Sequence, residues 1–309
     1  MKNDFQAPIK RKPEWLKIKP PTGENYRFLK QLVQEEKLNT VCEEARCPNI
    51  SECWGTHRTA SFMILGDTCT RRCRFCSVKT GLPAQVDQLE PLRVATAVQK
   101  MNLKHVHITM VNRDDLPDGG AGIVAATVNV IRRRIPDCSI EVLVSDFMGN
   151  RDAIEKVMAT RPDIFSHNVE TVRRLTTLIR SRSDYDRSLK VLTIAREIDP
   201  DAVTKSSIML GLGETRSEVI DVMDDLRRHQ VDMINIGQYL QPSGSHAAVK
   251  RYWHPDEFAE LKQIALEKGF SHCESGHFVR SSYHAEEQYE GYLNQQKTPT
   301  TLSTGRRSG

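Results

Sequence analysis

At 309 residues the chain is long enough for one large α/β domain with short terminal additions, or for two small domains. Hydrophobic residues make up 39% of it, enough for a sizeable core, and a net charge of +4 is too small to mark a nucleic-acid binder; it suits an acidic protein partner slightly better. No apolar run reaches membrane-spanning length and the amino end (MKNDFQAPIKRKPEWLKIKPP) lacks the apolar core of a secretory signal, so a soluble, reducing, cytoplasmic setting with no membrane attachment is expected.

In chain order, residues 1–22 read as a proline-punctuated extended arm. Residues 24–38 put Tyr26, Leu29, Leu32 and Val33 on one stripe, the pattern of an amphipathic helix. The segment from Cys42 to Cys53 is too short and irregular to carry a core, and its order is expected to come from bound metal. From residue 61 the chain alternates β-rich runs with helical patterns. Strands are expected at 62–65, 106–110, 140–144, 163–166, 207–210 and 233–236, and helices around 91–102, 120–134, 152–159, 186–198, 215–229 and 255–268. Pro91 and Pro255 suit a first helical turn, where a missing N–H costs nothing.

Six β-then-α units predict a parallel sheet, and six are too few to close an eight-fold barrel. The expected fold is therefore a partial (β/α)6 TIM-like barrel with function on the loops leaving the carboxyl ends of its strands. The expected division is an N-terminal extension over 1–60 that binds a cluster, the barrel over 61–270, a C-terminal segment over 271–292, which the family resemblance given below implies returns to the extension, and a disordered tail over 293–309, rich in Thr, Ser, Gly and basic residues.

Six of the eight cysteines fall between residues 42 and 76, the crowding of a metal site rather than of a disulfide framework. The loop after the first barrel strand, GDTCTRRCRFCSVKTG, holds Cys69, Cys73 and Cys76 as C-x3-C-x2-C. Zinc in a closed structural site wants a fourth protein ligand, and none lies in the frame; a [4Fe-4S] cluster on three thiolates leaves one iron open to a substrate or cofactor. A zinc knuckle and unliganded thiols are the alternatives. Upstream, NTVCEEARCPNISECWG gives a second set of three, Cys42, Cys47 and Cys53. Two triads cannot complete two four-coordinate sites without ligands other than cysteine. Read from the residues alone, RSSYHA at 280–285 is a polar helix start with serine as its cap.

The C-x3-C-x2-C spacing after a barrel strand resembles the radical S-adenosylmethionine (SAM) superfamily. The two triads together resemble lipoyl synthase, through LNTVCEEARCPNISECW, TASFMILGDTCTRRCRFCSVKTG, NRDDLPDGG at 112–120, HNVET at 167–171, KSSIMLGLGET at 205–215 and VRSSYHA at 279–285. The likeness runs from about residue 13 to residue 289. It implies two [4Fe-4S] clusters and SAM as cofactors. Cys69, Cys73 and Cys76 would hold the cluster that chelates SAM, with Phe75 packing near the adenine. Cys42, Cys47 and Cys53 would hold an auxiliary cluster whose fourth ligand is the hydroxyl of Ser282, Ser281 being the less favoured choice. Such a hard oxygen ligand makes a labile corner on iron, and Arg280 would stabilise the serine or the cluster's negative charge. Trp54 and Tyr283 would shield this cluster.

The same resemblance implies insertion of two sulfur atoms, at C6 and C8, into an octanoyl group carried on a lysine. Its partners would be octanoylated lipoyl domains of 2-oxoacid dehydrogenase E2 subunits and the glycine-cleavage H protein, a flavodoxin- or ferredoxin-type electron donor, and an iron–sulfur carrier protein. Asn168 and Glu170 would contact the ribose or methionine end of SAM, against a bland reading as helix caps, and Lys205 would bind cofactor or acyl substrate. Asp114 and Asp115 read as separate hydrogen-bond acceptors, not an acid/base dyad. His105, His107 and His167 read as core hydrogen-bonding residues, and Cys138 and Cys273 as inert thiols.

The chain departs from the family pattern at Ser207, where glycine is usual, at His277, where proline is usual, and in YLQPSGSHAAV at 239–249. The rival readings are another sulfur-inserting radical SAM enzyme, biotin synthase-like or methylthiotransferase-like, and an iron–sulfur or zinc RNA-binding module; the latter would want denser basic and aromatic interleaving than is present.

Overall fold

The computed structural model describes residues 12–297 except 19 and 58. Seven parallel strands form one sheet in chain order: β1 Ser61–Ile64, β2 His105–Met110, β3 Ser139–Leu143, β4 Ile164–Ser166, β5 Thr204–Leu210, β6 Met233–Gln238 and β7 His272–Gly276. A two-residue piece, Asn39–Thr40, pairs antiparallel with β1 at one edge, and no pairing joins β1 to β7, so the barrel stays open. The helices are α1 Glu24–Glu35, α2 Glu90–Met101, α3 Ala121–Arg134, α4 Arg151–Met158, α5 Arg173–Ile179, α6 Tyr185–Ile198, α7 Arg216–Arg228, α8 Pro255–Glu267 and α9 Ala285–Lys297.

The expected partial barrel is present, with three additions that the sequence pattern did not signal. β7, reading His-Cys-Glu-Ser-Gly, lacks a β-branched run and exists because it extends the ladder of β6. α5 is only seven residues long, below the length at which periodicity identifies a helix. α9 continues through Lys297, so the first residues of the expected disordered tail are helical; 298–309 lie outside the described residues, as do 1–11 of the expected arm. Residues 42–53 also have more protein-made order than expected. Thr40 caps the short helix Val41–Glu44 by accepting from the Glu43 N–H, and the helix Ile50–Glu52 follows.

Strand alternation sorts the side chains. One set, including Phe62, Ile64, Val106, Ile108, Ile140, Val142, Phe165, Ile208, Ile234 and Ile236, is buried in the hydrophobic core. The other set points into the barrel and is polar for its buried position. Glu141 lies at the centre: Lys205 Nζ stands 3.0 Å from Oε2, Ser166 donates to Oε1 at 2.8 Å, and the Nε2 atoms of His105 and His107 lie 3.9 and 3.7 Å from its two oxygens. Ser139 and Ser61 bond the Nδ1 atoms of His105 and His107 respectively. Lys205 therefore corrects the sequence expectation. It is 1% exposed, spends its charge on Glu141 in the barrel interior, and does not line the cavity described below.

Because a buried carboxylate stripped of its cation is strongly unfavourable, Lys205→Met should cost about 3–5 kcal/mol in urea unfolding, and Glu141→Gln added to it should recover part of that loss. Burial also pushes His105, His107 and His167 down from 6.5 to about 4. The unfolded chain thus binds protons that the folded chain refuses, and stability should fall as pH drops from 6.5 towards 4. The slope of unfolding free energy against pH should approach that for three excess protons, and should shrink in His107→Gln.

Candidate active site

The loops after β1, β2, β3, β4 and β6, the segment after β7, and Ser207 and Met209 of β5 itself line one cavity of about 430 Å³. Cys69, Cys73 and Cys76 line it, on the loop that leaves β1 through Leu65 and Gly66, both at positive φ. That loop is tied down on several sides by backbone hydrogen bonds. The Thr70 N–H donates to the Asn112 carbonyl at 3.0 Å, the Arg74 N–H to Ile179 at 2.7 Å, the Ala247 N–H to Arg74 at 2.8 Å, and the Gly81 N–H to Cys69 at 3.1 Å. His246 Nε2 bonds the Cys76 carbonyl at 3.0 Å. The segment 239–249, one of the departures from the family pattern, thus steadies the cysteine loop.

Arg71, between the first two cysteines of this loop, is buried and doubly paired. It reaches Asp114 at 2.8 Å through both Nε and Nη2, and Asp146 at 2.6 and 2.9 Å; Arg187 adds a further bond to Asp146 at 2.7 Å. Burial alone would raise Asp146, yet these guanidinium bonds hold it well below the usual carboxylate range. The loops after β1, β2 and β3 are locked together by this cluster. Asp115 turns instead to Arg113 at 2.8 Å, so the two adjacent aspartates serve different arginines.

Phe75, Asn168, Glu170, Arg280, Ser281 and Ser282 all line the same cavity, and so do Cys42 and Cys47. Cys53 does not. It lines a second, smaller cavity of about 100 Å³, which Cys42 and Ser282 also reach. The serine segment arrives from the far end of the chain. Asn235 of β6 donates to the carbonyls of Arg280 (2.9 Å) and Ser281 (3.1 Å), and Asn49, between the second and third upstream cysteines, donates to Phe278 at 2.7 Å. Gly237 of β6 is the seat: a Cβ there would overlap the Val279 carbonyl oxygen and stand 3.2 Å from Arg280 Nη1.

A line of alternating charge runs between the two cysteine groups. Arg180 stands beside Cys73, with its Nη1 donating to the Val169 carbonyl at 3.0 Å and to Ser188 at 3.1 Å. Glu170, at φ 65°, accepts from Asn168 at 3.1 Å; burial raises its carboxyl pKa, opposed by Arg180 and Arg280. Arg280 in turn feels Cys47 and Glu170, while burial works against its charge. Residue spacing singled out Glu170 and Arg280 through the motifs that contain them. Arg71, Arg180, Asn235 and Gly237 carried no such signal, since each acts only after distant segments meet.

The donor set fits iron–sulfur clusters. Burial pushes the thiols up, to about 11 at Cys73 and about 12 at Cys76 and Cys42, and likewise raises Cys69, Cys47 and Cys53, so binding must displace protons from soft sulfur ligands. Among the described residues no three His, Cys, Asp or Glu side chains stand close enough to hold a single metal ion. Cys138 and Cys273, also raised by burial, to about 11 and about 12, lie outside both cavities. Trp54 is fully buried against Tyr26, and Tyr283 donates to Glu52 at 3.3 Å.

Comparison with known proteins settles the family. A model of the radical SAM superfamily matches residues 63–226, and a model of the N-terminal domain of lipoyl synthase matches residues 2–47. Lipoyl synthases of Bacillus velezensis and Bacillus subtilis are each 64% identical over 278 residues, which is 90% of this chain and 93% of theirs. That of Oceanobacillus iheyensis is 59% identical over 287 residues, 93% of this chain and 91% of its own. This chain belongs to the lipoyl synthase family. It is accordingly a radical SAM sulfurtransferase, and a lipoyl synthase acts on an octanoylated protein. Among solved structures, Streptococcus suis SuiB bound to S-adenosylmethionine superposes with a TM-score of 0.54 at 12% identity, covering 74% of this chain and 54% of that one. Methylornithine synthase gives 0.53 at 12%, covering 82% and 79%. These two share the open-barrel fold. No helix among the described residues is long and apolar enough to cross a membrane.

Within this lipoyl synthase fold, Gly237→Ala should dislodge the Val279–Ser282 segment without unfolding the barrel. Anaerobic reconstitution should then give closer to about four irons per chain than to about eight, with SAM cleavage retained and sulfur insertion lost.

Proposed function

We propose that the chain inserts two sulfur atoms, at C6 and C8, into the octanoyl group of an N6-octanoyl-lysine on a carrier protein, giving the dihydrolipoyl group. The observation that carries this reading is that Cys69, Cys73 and Cys76, from the loop after β1, share one cavity with Cys42, Cys47 and Ser282 from opposite ends of the chain. Cys69, Cys73 and Cys76 would hold a four-iron cluster whose chemistry, when it is bound with SAM, would be one-electron reduction giving a hydrogen-abstracting radical, and Cys42, Cys47, Cys53 and Ser282 would hold a second cluster that would supply the sulfur.

The chain's own residues divide the remaining tasks. Cys69, Cys73 and Cys76 hold the first cluster, with Arg180 offsetting negative charge beside Cys73. Phe75 offers an aromatic face to the adenine. Asn168 and Glu170 hold the ribose or methionine end; Glu170 is fixed in orientation by Asn168 and lies within the field of two arginines. Cys42, Cys47, Cys53 and Ser282 hold the auxiliary cluster, the hydroxyl being the ligand that iron releases most readily. Arg280 neutralises charge next to Cys47. Lys205 has no place in this scheme, being committed to Glu141.

Octanoylated lipoyl domains of E2 subunits and the glycine-cleavage H protein are the proposed carriers, with a flavodoxin- or ferredoxin-type donor and an iron–sulfur carrier as further partners. The cavity, about 430 Å³, lies in the size range of small-molecule sites. A biotin synthase-like or methylthiotransferase-like reaction is not favoured, because the N-terminal match is to lipoyl synthase.

The decisive assay combines reduced protein, SAM and an octanoyl-lysine peptide. It should yield 5′-deoxyadenosine and a peptide heavier by two sulfurs; 5′-deoxyadenosine with no sulfur gain would overturn the reading. Ser282→Ala should keep SAM cleavage and abolish sulfur gain, and unchanged product would remove Ser282 from the ligand set, with Ser281→Ala as the companion variant.

A further inference from the structure

The upstream cysteines lie between two cavities, and they are shared unequally. Cys47 lines the large cavity, Cys53 the small one, and Cys42 and Ser282 both. At about 100 Å³ the small cavity is much smaller than the large one of about 430 Å³ and has room for a partly hydrated ion.

Its lining suits a cation. Glu286 and Glu287, at the start of α9, line it where it nears solvent; Glu287 is exposed and Glu286 half-buried. His284 lines the same entrance and bonds Glu287, which leaves the carboxylate of Glu286 as the charge there without that partner, and a carboxylate at an entrance favours cations over hydrosulfide. Deeper in are His105 and His107, each 5% exposed with its Nε2 facing Glu141 at 3.9 and 3.7 Å, and the thiols of Cys42 and Cys53, soft ligands that transition-metal ions prefer over carboxylate and water alone.

We propose that the small cavity is a passage for ferrous iron, by which iron leaves and re-enters the auxiliary cysteine group from behind while the acyl substrate keeps the large cavity. The inference rests on the proposed role of the auxiliary cluster as sulfur donor. Each sulfide that joins a substrate carbon radical forms one C–S bond and passes one electron to iron, taking it from ferric to ferrous. Iron stripped of its sulfides must then leave, and the front of the site is filled by product still bound through sulfur. The small cavity gives it a way out that crosses neither product nor SAM.

Two measurements on the full-length protein test this. In cluster-free protein, methyl methanethiosulfonate labelling followed by peptide mass mapping should show Cys53 slowed by about 10-fold or more in Ala285→Leu, whose larger side chain narrows the small cavity, with Cys47 changed less than about two-fold. In anaerobic holoenzyme given SAM and octanoyl-lysine peptide for one turnover, Ala285→Leu and the near-isosteric Glu286→Gln should insert sulfur at the wild-type rate. Ferrous iron should reach a colorimetric chelator several-fold more slowly from both variants. Equal protection of Cys47 and Cys53, protection of neither, or iron release that keeps pace with insertion in both variants would overturn the passage. Wild-type protein that gains no sulfur would instead overturn the donor role of the cluster, while the labelling result would still report the two routes.

Discussion

The site depends on one close contact, the passage of the Val279–Ser282 backbone over Gly237 at the end of β6. The absence of a side chain at Gly237 lets the carbonyl of Val279 lie against the strand, and Asn235, two residues earlier on the same face, holds the next two carbonyls. Asn49 secures the segment from the other side, across 229 positions of sequence. A C-terminal serine can face cysteines near the amino end only because a sheet strand supplies the platform on which both rest. β7, added beyond the sixth strand, delivers the chain to that point.

The second constraint is the handling of buried charge. The barrel interior contains Glu141 and Lys205, and the cavity is lined by Arg71, Asp146, Arg180, Glu170 and Arg280, with Asp114 paired to Arg71. Each charge is near an opposite one, as low-dielectric surroundings demand. Arg71 is the clearest case, since its guanidinium makes four hydrogen bonds to two carboxylates from different loops and so fixes the cysteine loop. Nearby arginines and backbone N–H groups offset burial at the thiols only in part, and burial keeps them protonated at neutral pH. Ligation therefore couples cluster assembly to proton release, which ties the final order of the site to the metal even though the polypeptide around it is already folded.

The departures from the family pattern fall where geometry gives them meaning. Ser207 lines the large cavity. His246, in the altered segment after β6, bonds the carbonyl of Cys76. His277, in the usual place of proline, packs its ring 4.6 Å from Phe278, whose carbonyl Asn49 holds. None replaces a triad cysteine or either serine; they adjust the supports around them.

The alternation of apolar runs with helical periodicity was enough to specify an open parallel barrel, and the spacing of Cys69, Cys73 and Cys76 behind its first strand located the chemistry. Both are local patterns: strand periodicity is two residues, helical periodicity under four, and three thiols converging from one loop need only neighbours in sequence. Lys205 shows the limit. A lysine before a strand at the active face looks like a ligand contact, and only the fold revealed that the inward parity of β5 aims it at Glu141 on β3. The same holds for Arg71, Arg180 and Gly237, and for the division of Cys42, Cys47, Cys53 and Ser282 between two cavities. Those depend on which atoms meet across tens to hundreds of residues, and such meetings are set by strand order, register and the direction each side chain takes, which no single stretch of sequence contains.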